Sequence, residues 1–366
     1  MSHFCLLKDP KKYRATDWDL LKDEKGRNYW LDHFRQQFEE TARHGLDEYG
    51  RHAGKRIKDA KEEFYGVLDS LQADPRALGN GSLTILDLDH VRDEILRKHG
   101  LPDPYKKVKD RTNDEAIDQY KEVIRDLHMM ETQADRWDAV VSGIFAGNMY
   151  DLGSVSTMHL ADETVDFFDL CAKTKPRPWL VDDFDPLIND LADDPMSRWK
   201  KAVIFADNAG IDFVLGVMPL ARELANEGVI TVIAANEDPS LNDITAEEAV
   251  EVIQRLAVID PDLAALIRGQ MLEVVSTGSR VPLIDLSDVS KELNAATEDA
   301  DLVILQGMGR AIESNWSADF AVDAVKIGLV KSPMVAEWLG GEIMDCVCKY
   351  EPTPKPEPEP EAEEEK

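Results

Sequence analysis

The sequence predicts an α/β fold in which a three-layer sheet domain with alternating strands and helices follows a helical N-terminal domain. Two patterns predict it. Up to about residue 136, apolar residues recur at spacings of three and four, which is typical of amphipathic helices. From residue 201 onward, short apolar runs alternate with helical patterns, which favours a largely parallel sheet covered by helices on both faces.

These patterns divide the chain into a mainly helical domain with a connector at 1–198, an α/β domain at 199–350 and a tail at 351–366. The acidic tail is rich in Pro and Glu and has no core-forming side chains, so we expect it to be disordered. The capping-box spacing of Thr245 and Glu248 predicts one helix start, and Ser332-Pro333 predicts another. Strands are predicted at 202–206, 229–234, 272–275, 301–305, 324–330 and 342–350.

The composition argues against several classes of partner. The 366 residues carry a formal net charge of −30, whereas nucleic acid or an anionic membrane would need a basic face. No apolar run reaches membrane-spanning length, and the N-terminus has no signal-peptide core. The four cysteines form no C-x-x-C pair, so no zinc or redox motif is visible. We therefore expect a cytoplasmic protein with a small-molecule ligand, and a homo-oligomer stays open.

Polar residues follow the predicted strands at the points where those strands end. Asp207 and Asn208 come directly after the first strand, and Gly210 precedes a predicted helix from about Ile211. A helix N-terminus in this position can bind an anion, although an ordinary turn uses the same residue types. Because the carboxyl ends of parallel strands share one edge of a sheet, the polar loops should converge there. The other loops contain Asn236 with Asn242 and Asp243, Thr277 with Gly278 and Ser279, and Gln306 with Arg310.

This set of side chains favours a metal and anion site. Asp207, Asn208 and Asp243 could give one divalent ion three oxygen ligands, which suits Mg²⁺ or Mn²⁺. All eight histidines lie at or before position 159, so chemistry near Asp207 would depend on carboxylates, amides, Lys and Arg. Arg310 could hold an anion, and the glycines beside it would let the backbone approach a ligand.

Several longer segments make the sequence similar to a known family. FADNAGID, AANEDPSLNDIT, STGSRVPLIDLS, DLVILQGMGRAIESN and VKIGLVKSPMVAEWLGGEIMDCVCKYE together resemble the DUF89 damage-control phosphatases. The resemblance is greatest to their second subfamily, which includes the C-terminal domain of pantothenate kinase 4 and a plant homologue. IFAGNMYDLGS extends the match into the helical region. One departure is Gln306, since the family motif is usually EGMGR, and a role that needs a carboxylate there is in doubt.

The resemblance implies a metal-dependent phosphatase for small phosphorylated metabolites, most of all 4′-phosphopantetheine and its oxidised or damaged forms. It implies that Asp207, Asn208 and Asp243 bind the metal, which would be Mn, Co, Ni or Mg. Lys326 matches a lysine that faces the substrate phosphate in related proteins, with Lys331 as the alternative. The predicted substrate-binding residues are Asn148, Asp151, Gly278, Ser279, Arg310 and Lys326, and the predicted catalytic residues are Asp207, Asp243 and Lys326.

The predicted mechanism uses a metal-bound water whose proton passes to Asp207 or Asp243. In an alternative, Asp207 attacks phosphorus directly, as in haloacid-dehalogenase phosphatases, but those enzymes carry DxD and the third position here is Ala209. Two other classes of protein stay open. One is a non-catalytic regulatory module that binds a phosphometabolite, and the other is an adenosyl-cofactor methyltransferase, although the loop after the first strand lacks G-x-G.

Overall fold

The structure, a computed structural model, describes residues 2–354 except 80, 159, 161–164 and 194. Its centre is a sheet of seven strands in the described part of the chain, in the order β1-β7-β6-β5-β2-β3-β4. Neighbouring strands are parallel except β6 and β7, which are antiparallel. The strands are β1 Val181–Asp182, β2 Lys201–Phe205, β3 Ile230–Ala235, β4 Leu272–Ser276, β5 Leu302–Gln306, β6 Asp323–Leu329 and β7 Cys346–Glu351.

Helices dominate the first half of the chain and alternate with strands in the second. Two short π-helical turns, Asp212–Val217 and Met308–Glu313, follow β2 and β5. No helix in the described ranges is both long and apolar enough to cross a membrane. The helices are α1 Glu24–Tyr49, α2 Gly54–Ala73, α3 Ile85–Lys98, α4 Lys106–His128, α5 Gln133–Asn148, α6 Phe167–Lys173, α7 Phe184–Asp193, α8 Pro195–Arg198, α9 Met218–Asn226, α10 Ala246–Ile259, α11 Pro261–Arg268, α12 Lys291–Thr297 and α13 Pro333–Leu339.

Both faces of the sheet are buried, because successive side chains of a strand point to opposite sides. From β2, Ala202 and Ile204 join a hydrophobic cluster with α4, α5, α9 and α10, whereas Val203 and Phe205 join a second cluster with α12 and α13. The predicted three-layer α/β architecture, with its helical N-terminal part, is confirmed. A third cluster contains the core of α1, α2 and α3 and forms a helical cap, to which Leu283 of a sheet-edge loop also contributes.

The candidate site lies at the place where the strand order of the sheet reverses. β2 lies between β3 and β5, so the chain proceeds outward in one direction through β3 and β4 and in the other through β5 and β6. After β2 the chain packs on one face of the sheet through Phe213, and after β5 it packs on the opposite face through Ile312. The two connections therefore diverge and leave a crevice at the carboxyl ends of β2 and β5, where open α/β sheets bind ligands.

The six predicted strands are all present, and the helix starts at Thr245 and Ser332 are confirmed. The last strand begins at Cys346 rather than at 342, because Glu342 donates its N–H to Asp345 at 2.7 Å in a turn. β1 was missed, since two residues inside the connector give no periodic signal. The division at residue 198 stays a prediction, although Phe4 already packs with the sheet. The predicted tail lies outside the described residues from position 355 onward.

Candidate functional site

Three of the predicted ligands meet at the crevice. Asn208 and Asp243 pair as an isolated antiparallel bridge, and Asn208 Nδ2 donates to Asp207 Oδ2 at 3.0 Å. Two backbone hydrogen bonds hold the loops together: Ile244 N donates to Asp207 O at 3.0 Å, and Ala209 N donates to the Asn242 carbonyl at 2.9 Å. All three ligand side chains line one cavity. The two loops therefore fold as a unit, although about 35 residues separate them in sequence.

Arg310 neutralises the two carboxylates of this group. Its Nη1 bonds to Asp207 Oδ1, and its Nη2 bonds to Asp243 Oδ2 at 2.8 Å and to Asn236 Oδ1 at 3.1 Å. Burial raises the pKa of both Asp207 and Asp243, although Arg310 opposes the rise. The sequence predicts that Arg310 binds the substrate anion. The structure instead gives its guanidinium two carboxylate partners, so it holds the ligands in place.

The donor atoms that remain fit a hard divalent cation. Asn208 Nδ2 donates to both Asp207 and Asp212, whereas Asn208 Oδ1 has no hydrogen-bond partner among the described residues. Asp243 uses Oδ2 for Asn236 and Arg310, which leaves its Oδ1. Carboxylate and amide oxygens are the ligands that Mg²⁺ and Mn²⁺ favour. No cluster of three or more His, Cys, Asp or Glu suited to a metal occurs in the described ranges, so a metal at this place would need an amide ligand such as Asn208 as well.

Asp212 is a site residue that the sequence analysis missed. It begins the π-helical turn after β2 and accepts hydrogen bonds from Asn148 Nδ2 at 3.0 Å and from Asn208 Nδ2 at 2.9 Å. Burial, assisted by the charge of Asp207, raises the pKa of Asp212 to about 7. The Asp212 carboxyl group orients the amide of Asn208 through this hydrogen bond. A signal was present, since Asp212 is the one charged residue in the otherwise apolar segment IDFVLGV.

Gln306, the departure from the family motif, bridges two acidic residues. Its Oε1 accepts from the backbone N–H of Asp207 at 2.9 Å, and its Nε2 donates to Asp212 Oδ1 at 2.7 Å. An ionised Glu could accept the first bond but could not donate the second. The next residue, Gly307, has φ of 96°, and a Cβ atom there would lie 2.0 Å from Asp207 Oδ2. The end of β5 is thus shaped around the Asp207 carboxylate.

Asn148 and Asp151, two predicted substrate-binding residues at and just after the end of α5, have different surroundings in the structure. Asp151 lines the cavity and forms an ion pair with Lys331 Nζ at 2.7 Å. Asn148 is fully buried behind Asp207, to which it donates at 3.0 Å, and its Oδ1 accepts from Leu329 N at 3.1 Å. Because the Asn148 amide is fully engaged with protein groups, it positions Asp207 rather than contacting a substrate.

The two candidate lysines lie in different surroundings. Lys326 Nζ donates to the carbonyls of Trp316 at 2.9 Å and Ala318 at 2.7 Å and pairs with Glu351 at 2.8 Å, away from the cavity. Side chains alternate along β6, so Lys326 points to the opposite face of the sheet from Ile327. Lys331, five residues on, follows the strand end and reaches Asp151. Lys331, the alternative, is therefore paired to a residue that lines the cavity, and which lysine contacts the phosphate stays a prediction.

Gly278 and Ser279 shape the cavity without lining it. Ser279 Oγ is within 3.1 Å of the carbonyls of both Val281 and Leu283, to which it can donate. These bonds fix the loop that carries Pro282 and Leu283 into the cavity wall. Ser279 thus holds this loop, and the role of Gly278 and Ser279 as substrate ligands stays a prediction.

The helical cap supplies part of the wall, which the sequence patterns did not predict. The cavity has a volume of about 60 Å³, several times the roughly 10–15 Å³ that one water molecule needs on this measure, so a phosphate-sized group fits. Burial lowers the pKa of His33 to about 4, so its imidazole is neutral at pH 7. The cap residues that line the cavity are Trp30, His33, Phe34, Gln37, Ile85 and Asp89.

Comparisons with known proteins agree with this architecture. A solved structure of a DUF89 family protein from Pyrococcus horikoshii shares the fold, with a TM-score of 0.61 and 17% identity over 87% of this chain and 96% of that chain. A family model for the damage-control phosphatase ARMT1-like domain matches residues 30–347. The chain belongs to this damage-control phosphatase family, and the resemblance noted in the sequence is confirmed.

Curated relatives extend the comparison. A damage-control phosphatase of Arabidopsis thaliana is 42% identical over 299 residues, which are 81% of this chain and 80% of the relative. A 4′-phosphopantetheine phosphatase of Mus musculus is 31% identical over 399 aligned positions, covering 94% of this chain and 48% of the relative. A protein of Arabidopsis thaliana named pantothenate kinase 2 is 35% identical over 95% of this chain and 42% of its own length. The chain thus spans less than half of the two longer relatives.

The hydrogen bond from Gln306 to Asp212 predicts a pair of compensating substitutions. Gln306→Glu places two carboxyl groups in contact, and Asp212→Asn places two amide nitrogens in contact, so each should lower the free energy of unfolding by about 1–3 kcal/mol. The double variant restores a donor and an acceptor and should recover most of the loss. Urea unfolding in EDTA measures all three. Additive losses in the double variant would contradict the assigned contact.

Proposed function

We propose that the protein is a metal-dependent phosphatase that hydrolyses small phosphomonoesters, with 4′-phosphopantetheine and its oxidised or damaged forms as the preferred substrates. The observation that carries the proposal is the convergence of Asp207, Asn208, Asp243 and Asp151 at one cavity, with the buried Lys331 paired to Asp151. Membership in a phosphatase family supports the reaction type, and the name of the mouse relative supports the substrate.

The residues present fit a divalent ion, which would be Mn, Co, Ni or Mg and would be held by Asp207, Asn208 and Asp243. When bound, such an ion neutralises phosphate oxygens and lowers the pKa of an attacking water. Asp212 accepts a hydrogen bond from the amide nitrogen of Asn208, and Arg310 bonds to one oxygen each of Asp207 and Asp243. These contacts keep the three ligands oriented. The protein thus provides the ligands without a large rearrangement of their hydrogen bonds.

Lys331 supplies positive charge for the phosphate. Burial alone would lower its pKa, but the carboxylates of Asp151, Asp207 and Asp212 outweigh that effect and raise the pKa, so the ammonium stays charged. Two hydrogen-bond acceptors hold it, Asp151 Oδ2 at 2.7 Å and the carbonyl of Asn148 at 2.9 Å. An ammonium has three donors, so one is left for a phosphate oxygen whose negative charge grows during transfer.

The contacts of the two aspartates favour water as the nucleophile. Asp207 Oδ2 accepts from Asn148 and Asn208, and Oδ1 bonds to Arg310, so one lone pair remains on Oδ1. A bound metal would use this lone pair, which would leave none to attack phosphorus. Asp243 Oδ1 accepts no hydrogen bond from a described residue, and burial raises the pKa of this carboxyl. Asp243 is therefore the group better placed to receive the proton of an attacking water.

The test of the proposed function is release of inorganic phosphate from 4′-phosphopantetheine with Mg²⁺, Mn²⁺, Co²⁺ or Ni²⁺. We expect turnover with at least one ion and none in excess EDTA. Asp243→Ala should abolish turnover while circular dichroism shows the same fold, because it removes both a ligand and the proton acceptor. Turnover that persists in EDTA would contradict the metal requirement, and binding without turnover would favour the regulatory-module alternative.

A second experiment compares the two lysines. Lys331→Ala should lower kcat about 100-fold, with a smaller change in KM, because its charge acts chiefly on the transition state. Lys326→Ala removes a buried ammonium that holds backbone carbonyls far from the cavity, so it should lower thermal stability and change kcat little. Steady-state kinetics on folded protein measure both. A large loss of kcat in the Lys326 variant, with a normal Lys331 variant, would reverse the assignment.

A further inference from the structure

Among the described residues, Glu313 is the one carboxyl group of the cavity that has no partner. Five carboxyl groups of these residues line the cavity, and four of them pair with a cation. The four pairs are Asp89 with Arg92 at 2.7 Å, Asp151 with Lys331 at 2.7 Å, and Asp207 and Asp243 with Arg310. The carboxyl group of Glu313 accepts no hydrogen bond and forms no ion pair within the described part of the chain, although only 9% of the residue is exposed. A buried carboxyl group without such a partner is destabilised in its charged form.

The backbone around Glu313 is tied to the proposed metal ligands. Glu313 is the last residue of the π-helical turn Met308–Glu313, which also carries Arg310 to Asp207 and Asp243. The side chain of Asn315 holds the end of this turn, since its Nδ2 donates to the Arg310 carbonyl at 3.1 Å. π-helical turns are frequent at functional sites. The turn therefore presents Glu313 to the cavity from a fixed position.

Burial keeps the Glu313 carboxyl group protonated at neutral pH. It is the main cause of the rise of the Glu313 pKa to about 8, so the acid form predominates at pH 7. Tyr29 of α1 also interacts with Glu313, and burial raises the pKa of this phenol, which is uncharged at pH 7. The charged groups that act on Glu313 are Asp89 of α3, Asp151 after α5 and Asp207 after β2, which contribute to the rise, and Lys331 after β6, which opposes it. These groups come from the helical cap and from the strand ends, so Glu313 lies between the cap and the proposed metal ligands.

The other titratable groups near this part of the cavity are poorer proton donors. Burial lowers the pKa of His33 to about 4, so at pH 7 no imidazolium is present to give a proton. Burial raises the pKa of Asp89 to about 7, but Arg92 stabilises its ionised form through the ion pair. The carboxylates around Lys331 raise the pKa of its ammonium, which therefore holds its proton.

We propose that Glu313 is the general acid of the reaction and gives its proton to the oxygen of the leaving alcohol. This inference rests on the proposed phosphatase function. A phosphate held at Asp207, Asn208 and Asp243 leaves the alcohol part of the ester on the side of the cap, where Glu313 lies.

The proton and the electron pair are accounted for in each part of this step. As the attacking water forms its bond to phosphorus, the bond from phosphorus to the alcohol oxygen breaks, and its electron pair stays on that oxygen. The Glu313 proton moves to the same oxygen, so the product leaves as a neutral alcohol rather than as a strongly basic alkoxide. The proton of the water goes to Asp243. Exchange with solvent then returns Asp243 to its carboxylate and Glu313 to its acid form.

Two esters of similar shape test the proposal. p-Nitrobenzyl phosphate and p-nitrophenyl phosphate differ by one methylene group, but the first releases a strongly basic alkoxide and the second a weakly basic phenolate. Glu313→Gln keeps the shape and a hydrogen-bond donor but cannot transfer a proton. It should lower kcat for the benzyl ester by about 100-fold or more and leave kcat for the phenyl ester nearly unchanged. Steady-state kinetics with the ion that supports turnover measure both.

The pH dependence of the wild-type protein gives a second measurement that needs no variant. The rate with the benzyl ester should fall as the pH rises through the pKa of Glu313, because only the protonated form donates. This fall should be absent with the phenyl ester and, in Glu313→Gln, with either ester. The control is Glu292→Gln, which changes an exposed glutamate on α12 and should leave both rates and the fall unchanged.

The outcomes separate this inference from the proposed function. An equal loss for both esters in a folded Glu313→Gln variant would overturn the general-acid role and leave the phosphatase reaction in place, because a structural defect does not depend on the leaving group. The same alkaline fall with both esters in the wild-type protein would also overturn it. Absence of metal-dependent turnover of either ester by the wild-type protein would overturn the proposed function and the inference with it.

Discussion

Neutralisation of buried carboxylates is the constraint on which the site depends. Asp207 and Asp243 share Arg310, Asp151 has Lys331, and Asp89 has Arg92. These three cations come from the turn after β5, the segment after β6 and the helical cap, so each joins a different part of the chain to the cavity. Loss of one partner from such a pair leaves an uncompensated buried charge, which costs about 3–5 kcal/mol. Site assembly and folding of these segments are therefore coupled.

The site also depends on the place where the strand order of the sheet reverses, at the carboxyl ends of β2 and β5. Because the connections after β2 and β5 leave on opposite faces, a crevice opens where Asp207 and Gln306 end their strands. The amide side chains of three residues then hold Asp207 by hydrogen bonds. Asn148 and Asn208 donate to its carboxylate, and Gln306 accepts from its backbone N–H. Amides suit this task because each can donate to one group and accept from another, so they orient carboxylates without adding charge.

The fold and the convergence of Asp207, Asn208 and Asp243 could be predicted because they follow from local patterns. Strand runs, caps and polar strand ends all lie within a few residues of one another, and the rule that parallel strands end at one edge brings Asp207 and Asp243 together. The face that Lys326 takes could not be predicted, because alternation along β6 decides it and a strand buried on both faces gives no alternating signal. The wall formed by Trp30, His33 and Asp89 depends on how the cap docks, which local sequence does not encode.

The most direct test of the account is crystallography of the protein grown with Mn²⁺, with anomalous data collected at the manganese edge. A single strong peak in contact with oxygens of Asp207, Asn208 and Asp243 is the result that we predict. A peak bound instead between Asp89 and Glu313, or no peak in the cavity at saturating Mn²⁺, would contradict the assignment of the metal ligands.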